Sequence, residues 1–341
     1  MKTTVAVKAT ESFPARVLAA AADKGGPVVV GLDPRPELLP PDLIALGRRQ
    51  SADPRQAAAL AISAFNRVII DAVADIAVAI KPQLAFFEQL GWPGLRALEE
   101  TIAYARQRGL LVIADGKRHD IGSTAEAYAR AYLGYPGAHG SGASGGLGDI
   151  ASGLEADALT VNPYMGTDSL KPFLAACRER GKGIFVLVRT SNPSGAELQD
   201  LPVGMGEDQT TLAERVAQLV MRWNEGMPTA DGYGPVGAVV GATGPEEAAR
   251  LRRQLPGVLF LVPGYGAQGA GATEAAAAFA PDGRGALVNA ARTIQYAWRL
   301  EHPDDPGNAD GYAAAARRAA LRMRAELQAA VQKGRVSGDG E

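Results

Sequence analysis

Short apolar runs recur along the chain, each closed by turn formers and followed by an amphipathic stretch. The runs are 27–33 (PVVVGLD), 76–82 (IAVAIKP), 110–117 (LLVIADGK), 158–164 (ALTVNPY), 183–191 (GIFVLVRTS), 237–243 (GAVVGAT), 258–264 (VLFLVPG) and 285–292 (GALVNAAR). They are continuously apolar rather than alternating, as expected of strands covered on both faces. Helical periodicity occupies 55–75, 93–108, 122–133, 168–180, 208–224, 245–254 and 272–280. Eight strands alternating with helical stretches predict an α/β protein, a (β/α)8 TIM barrel, for which about 250 residues is usual. A doubly wound sheet has the same local pattern, and the count of eight favours closure.

The chain has 341 residues. The surplus falls in an N-terminal helix (about 11–24), a Gly-rich loop (133–149), a long segment after Ser191, and a C-terminal helix (about 310–332) with a polar tail. The expected organisation is one barrel domain over 1–341, with its core at about 27–300 and the helix and tail in 303–341. The Gly-rich loop carries no phosphate-loop Lys and reads as a surface excursion.

Composition narrows the function. A formal net charge of −2 gives no field for nucleic acid. Cys177 is the only cysteine, so an intrachain disulfide is excluded. His119, His139 and His302 are scattered without ligand spacing, so no metal site is expected. The start of the chain lacks a continuous apolar segment, and no apolar run is expected to reach membrane-spanning length. A soluble cytoplasmic protein without a membrane partner is the expectation.

In a barrel, active sites form at the C-terminal ends of the strands. The first run ends in Asp33, the second in Lys81, the third in Asp115 and Lys117. Asp115 and Lys117 are two apart and project from one strand face, which Lys81 can reach from the neighbouring strand. A structural ion-pair network is the plain reading of any one of them. The row as a whole points to function, because buried charges cost several kcal/mol each, roughly, and apolar replacements are often as stable. Asp120 either serves the dipole of the helix that follows or reaches a neighbouring subunit; His119 reads as solvated. Gly264, Gly266 and Gly269 satisfy G-x-G-x-x-G, yet they lie late in the chain with no acidic ribose ligand after them. The loops after strands seven and eight can instead hold a phosphate, with Arg292 as its charged contact. Ser191 and Asn192, in RTSNPSG, can offer polar groups to a heterocycle or simply form a turn.

With these residues in view, the sequence resembles the orotidine 5′-phosphate decarboxylase family, in its longer bacterial subgroup. The motif D-x-K-x-x-D-I stands as Asp115-Gly116-Lys117-Arg118-His119-Asp120-Ile121, with GLDP, IKPQLAFFE, RTSNPSG, PGYGAQG and NAARTI in family order. Departures are Gly122 where Pro is common, Asn192-Pro193 for His-Pro, and Ala291-Arg292-Thr293 for Gly-Arg-Ser. The resemblance implies cofactor-free decarboxylation of orotidine monophosphate to uridine monophosphate, the last step of de novo pyrimidine synthesis. It implies Lys117 as proton donor, Asp115 against the departing carboxylate, and Lys81 orienting Asp115 and touching the ribose. It implies Asp33 on a ribose hydroxyl, and Asp120 and Thr124 contributed across a homodimer. Ser191 and Asn192 would face the pyrimidine, Pro263 and Gln268 the base and phosphate, and Arg292 the phosphate. Three alternatives remain: a magnesium-dependent sugar-phosphate decarboxylase or aldolase, an NAD-dependent oxidoreductase built on the glycine motif, and a non-catalytic nucleotide sensor.

Overall fold

The computed structural model describes residues 11–134, 151–205, 209–266, 269–301 and 309–338. Eight parallel strands close into a barrel in chain order: β1 (Val28–Leu32), β2 (Ala79–Pro82), β3 (Leu111–Arg118), β4 (Ala158–Val161), β5 (Gly183–Arg189), β6 (Gly234–Val240), β7 (Val258–Val262) and β8 (Ala286–Ala290). β1 completes the ring by pairing with both β2 and β8. The rival doubly wound sheet is therefore ruled out.

Side-chain alternation sorts each strand into two faces. Val29, Ala79, Ile113, Ala158, Phe185 and Leu287 form a core within the barrel. Val28, Val30, Ile80, Val112, Leu159 and Ile184 pack outward against the helices. Two residues further along the inward face stand Gly31, Lys81, Asp115, Thr160 and Asn289. The same alternation that fills the barrel thus delivers polar groups to its mouth.

The floor is closed by the helix Phe13–Asp23. Phe13 meets Phe185 edge-on, with ring centroids 5.9 Å apart. A Cβ on Gly183 would overlap the Phe13 ring, so only glycine admits the plug there. Arg16 pairs with Asp157 and donates to the Gly181 carbonyl at 3.0 Å. Asp157 in turn accepts from the Val112 N–H at 2.8 Å, tying plug to strand.

Several elements differ from the sequence expectation. β6 begins at Gly234, upstream of the apolar run, because Gly234 N–H already pairs with the Gly257 carbonyl at 2.9 Å. A helix at Pro41–Gln50 was not anticipated. The segment after Ser191 holds a two-stranded antiparallel ribbon, Pro202–Val203 with Thr210–Thr211. The helix expected from 208 begins at Leu212, where Thr211 and Glu214 form a capping box. The helix expected over 272–280 is confined to Ala272–Ala276. Residues 135–149 of the Gly-rich loop, His139 and His302 lie outside the described residues.

The expectation about apolar length also needs correction. The helix Pro54–Val73 has 20 residues and a mean hydropathy of 1.3, long and apolar enough to cross a bilayer. Its apolar character is used inside the protein: Ile62, Phe65, Ile69, Ile70 and Val73 are fully buried. Phe65 stacks on Tyr296 at 5.8 Å and meets Tyr312 of the C-terminal helix Ala309–Gly338 at 5.5 Å. That C-terminal helix also reaches the end of β7, where the Tyr265 hydroxyl donates to Glu326, and Arg335 donates to the Pro281 carbonyl at 3.2 Å.

Phe13→Ala is expected to cost about 3–5 kcal/mol of stability in urea denaturation, because it removes a fully buried ring from the floor. A loss under about 1 kcal/mol would show a loosely seated plug.

Candidate active site

At the barrel mouth, Asp115 is the hub. Its Oδ2 accepts from Lys81 Nζ at 2.6 Å and from Gln83 Nε2 at 3.0 Å. Its Oδ1 accepts from Lys117 Nζ at 2.7 Å and from the Thr160 hydroxyl at 2.9 Å. Four donors from three strand ends therefore converge on one carboxylate. Lys81 and Asp115 are buried, whereas the Lys117 side chain remains 46% exposed at the rim.

The electrostatics follow from this geometry. Burial alone would raise the Asp115 carboxyl; the charges of Lys81 and Lys117 and their hydrogen bonds outweigh it, holding the group well below the usual carboxylate range. Burial likewise pulls the Lys81 ammonium down, but Asp115 and Asp33 more than compensate and leave it raised. At Asp33 burial wins, reinforced by the charge of Asp115, and the carboxyl is raised despite Lys81, Lys117 and Arg35. Asp33 Oδ1 is buried and has no hydrogen-bond partner among the described residues. Its backbone is fixed instead: Asp33 N–H donates to Gln295 Oε1 at 2.9 Å and its carbonyl accepts from Tyr296 OH at 3.2 Å.

Asp115 and Lys117 meet, but not by plain strand alternation. Lys117 has φ of 48°, a left-handed backbone unusual for a residue with a side chain. The β3–β4 register shifts between Ala114 and Arg118. Arg118 anchors the far side of the kink, pairing with Glu88 and lying over the rings of Tyr128 and Tyr132, each 5.5 Å from its guanidinium carbon.

The remaining candidates are arranged around this hub. After β8, Arg292 is exposed and forms no ion pair among the described residues, and Thr293 Oγ1 is buried without a hydrogen-bond partner there. Gly266, at φ 76°, lies so close that a Cβ would stand 2.6 Å from Thr293 Cγ2, so the turns after β7 and β8 are in contact. Pro263 directly follows β7 and accepts from Ala242 N–H at 3.0 Å through its carbonyl. Gln268 lies outside the described residues.

Across the mouth, Ser191 and Asn192 line a cleft of about 510 Å³ with Arg189, Gly241, Thr243 and Glu247. Arg189 donates to Glu247 at 2.8 Å and to Gln199 at 3.2 Å, bracing the turn. Asn192 Oδ1 accepts from the Thr190 hydroxyl at 2.7 Å. Asp120 and Thr124 do not join the hub: Asp120 accepts from Ile121 N–H at 2.8 Å, and Thr124 is exposed at the start of the helix Gly122–Leu133. His119 is exposed.

Sequence reasoning missed Thr160, Gln83 and Asn289. Thr160 lies in the apolar run ALTV and reads as an ordinary β-branched strand former. Its position two beyond Ala158 was the available signal. Asn289, whose buried Oδ1 has no partner among the described residues, is flagged in the same way by its place after Leu287.

Asp115→Asn is expected to lower stability at pH 7 by on the order of 3 kcal/mol, since it takes from the buried Lys81 ammonium the one carboxylate in contact with it. The folded carboxyl is lowered relative to about 3.9 in the unfolded chain. Its stabilisation is therefore complete above about pH 4 and is lost as pH falls toward the folded value, so the gap between wild type and variant should narrow below about pH 4. Chemical denaturation across pH 2.5–8, roughly, reads this; a pH-independent gap would show that the charge is not the source.

The sequence profile described as the orotidine 5′-phosphate decarboxylase / HUMPS family matches residues 26–299. The chain is 46% identical over 320 residues to the orotidine 5′-phosphate decarboxylase of Rhodopirellula baltica, covering 93% of this chain and 99% of that one. It is 46% identical over 264 residues to that of Deinococcus radiodurans, covering 77% and 84%. The structure of Leishmania donovani OMP decarboxylase superposes with a TM-score of 0.67 at 32% identity, covering 94% and 99%.

Proposed function

Because the chain belongs to the orotidine 5′-phosphate decarboxylase / HUMPS family, we propose that it converts orotidine 5′-phosphate to uridine 5′-phosphate and carbon dioxide. The enzyme is a carboxy-lyase acting in pyrimidine nucleotide synthesis. The observation that carries its mechanism is the contact of Asp115 with two ammonium groups, at 2.6 Å and 2.7 Å.

The bond between the pyrimidine ring carbon and its carboxylate breaks, carbon dioxide leaves, and the electron pair stays on the ring carbon. No conjugated electron sink is available to that pair, so fixed charge must stabilise it. Two unit charges at ~4 Å interact by about 1 kcal/mol in water and ~4 kcal/mol at an effective dielectric of 20. Lys117, already cationic, stabilises the developing carbanion and then transfers its Nζ proton to carbon. Asp115 holds the ammonium in place and stands against the substrate carboxylate, a like-charge contact relieved when carbon dioxide departs. Lys81 orients Asp115 and contacts the ribose. Asp115 already holds two protein cations, so the positive charge that a divalent ion would bring is supplied by side chains.

Asp33 binds a ribose hydroxyl, in keeping with its unpartnered, buried Oδ1. Ser191 and Asn192 address the pyrimidine from the cleft beside β5, Arg292 clamps the phosphate, and Pro263 and Gln268 serve the base and phosphate. Phosphate binding energy, remote from the breaking bond, organises the charged row and so raises rate as well as affinity.

A homodimer completes the site, with Asp120 and Thr124 donated to the partner. In its support, Ile121, Tyr164 and Met165 are 52%, 83% and 39% exposed beyond the neighbouring strands β3 and β4, an apolar rim that a second copy would cover. A soluble, charged nucleotide substrate accords with a cytoplasmic setting.

Purified, chelator-treated protein is expected to consume orotidine 5′-phosphate, followed as loss of its absorbance. Inactivity that magnesium restores would favour the metal-dependent alternative. Lys117→Ala should abolish carbon dioxide release while nucleotide binding stays measurable, and normal turnover in that variant would refute the proton-donor role. Arg292→Ala should raise KM by at least about tenfold, the loss of one charge-assisted contact; an unchanged KM would remove the clamp.

A further inference from the structure

Thr160 is almost wholly buried on the inward face of β4. Its hydroxyl accepts from the Lys117 backbone N–H at 2.9 Å and donates to Asp115 Oδ1 at 2.9 Å. The two bonds have fixed directions. A backbone N–H can only donate and an ionised carboxylate can only accept, so one hydroxyl must accept from the first and give its single proton to the second.

The local backbone explains why a side chain is needed there. Ala114 pairs with Leu159 and Arg118 with Val161, so four steps along β3 face two along β4. Residues 115–117 bulge from the ladder with β4, although Asp115 still bridges Gln83 on the β2 side, and a β4 carbonyl is not the acceptor of Lys117 N–H. The Thr160 hydroxyl takes that place. Lys117 is at the same point left-handed at φ 48°, a backbone state that persists only where its surroundings over-determine it.

We propose that Thr160 is a positioning residue, which holds the backbone of Lys117 and the carboxylate of Asp115 in one frame and thereby sets where the Lys117 ammonium stands. The proposal rests on the reading of Lys117 as proton donor. Thr160 acts through its neighbours and need not touch substrate.

Thr160→Val keeps shape and burial but removes acceptor and donor together, whereas Thr160→Ser keeps both. For Val, kcat is expected to fall at least about tenfold, equivalent to 1.36 kcal/mol of barrier, with KM for orotidine 5′-phosphate and Kd for uridine 5′-phosphate changed by less than about twofold. Ser should restore kcat to within about threefold of wild type. A wild-type kcat in Val would overturn the proposal, as would kcat, KM and Kd worsening together without rescue by Ser. Should Val fail to fold, Thr160→Ala is read by the same criteria. A crystal structure of the folded variant gives a readout independent of activity. Lys117 is expected to leave φ near 48° or to lengthen its 2.7 Å contact with Asp115; unchanged geometry would overturn the proposal. Inactive wild-type protein would instead count against the decarboxylase reading, leaving this structural test standing.

Discussion

Everything at the barrel mouth is organised around one carboxylate shared by two ammonium groups. Asp115 is buried, and the charges of Lys81 and Lys117 keep it ionised where burial by itself would neutralise it. Each member is thus a condition for the others: without Asp115 the buried Lys81 would lose its main stabilising neighbour, and without the lysines the carboxyl would take up a proton. Such a cluster is a poor way to gain stability compared with apolar packing. Its value lies in having charge oriented before substrate arrives, so that little reorganisation remains for the reaction itself.

The fold supplies that orientation by a simple rule. On β2, β3, β4 and β8, inward positions two residues apart belong to successive layers, apolar below and polar above. Ala79 leads to Lys81, Ile113 to Asp115, Ala158 to Thr160, Leu287 to Asn289. The floor is sealed by Phe13, which leaves the upper rim as the open end. The exception to the rule is Lys117, placed by a bulge and a left-handed residue rather than by regular alternation.

The barrel was legible in the sequence because strands buried on both faces read as unbroken apolar runs, and the spacing of eight such runs favours closure. The charged hub was legible because D-x-K and a lysine one strand away are costly to bury without purpose. Thr160 and Gln83 were not, since their importance comes from neighbours brought together only by folding: Thr160 meets a residue 43 positions earlier. The apolar helix Pro54–Val73 misled in the other direction, because a helix sandwiched between barrel and C-terminal helix has few wet faces to mark with polar residues. The short helix after Gly271 ends early, and the ribbon at 202–211 consists of two-residue strands too brief for periodicity to register.

The clasp between Tyr265 and Glu326 bears on the order in which the molecule can be completed. The two residues are 61 positions apart, and β1 must wait for β8, some 260 residues downstream, before the ring can shut. During synthesis the turn after β7 therefore precedes the helix that tethers it, and β1 keeps one edge unpaired until β8 has been made. A topology with its decisive contacts this distant in sequence folds late and slowly. Closure of the ring and the tether on the turn after β7 thus both depend on segments made long after β1.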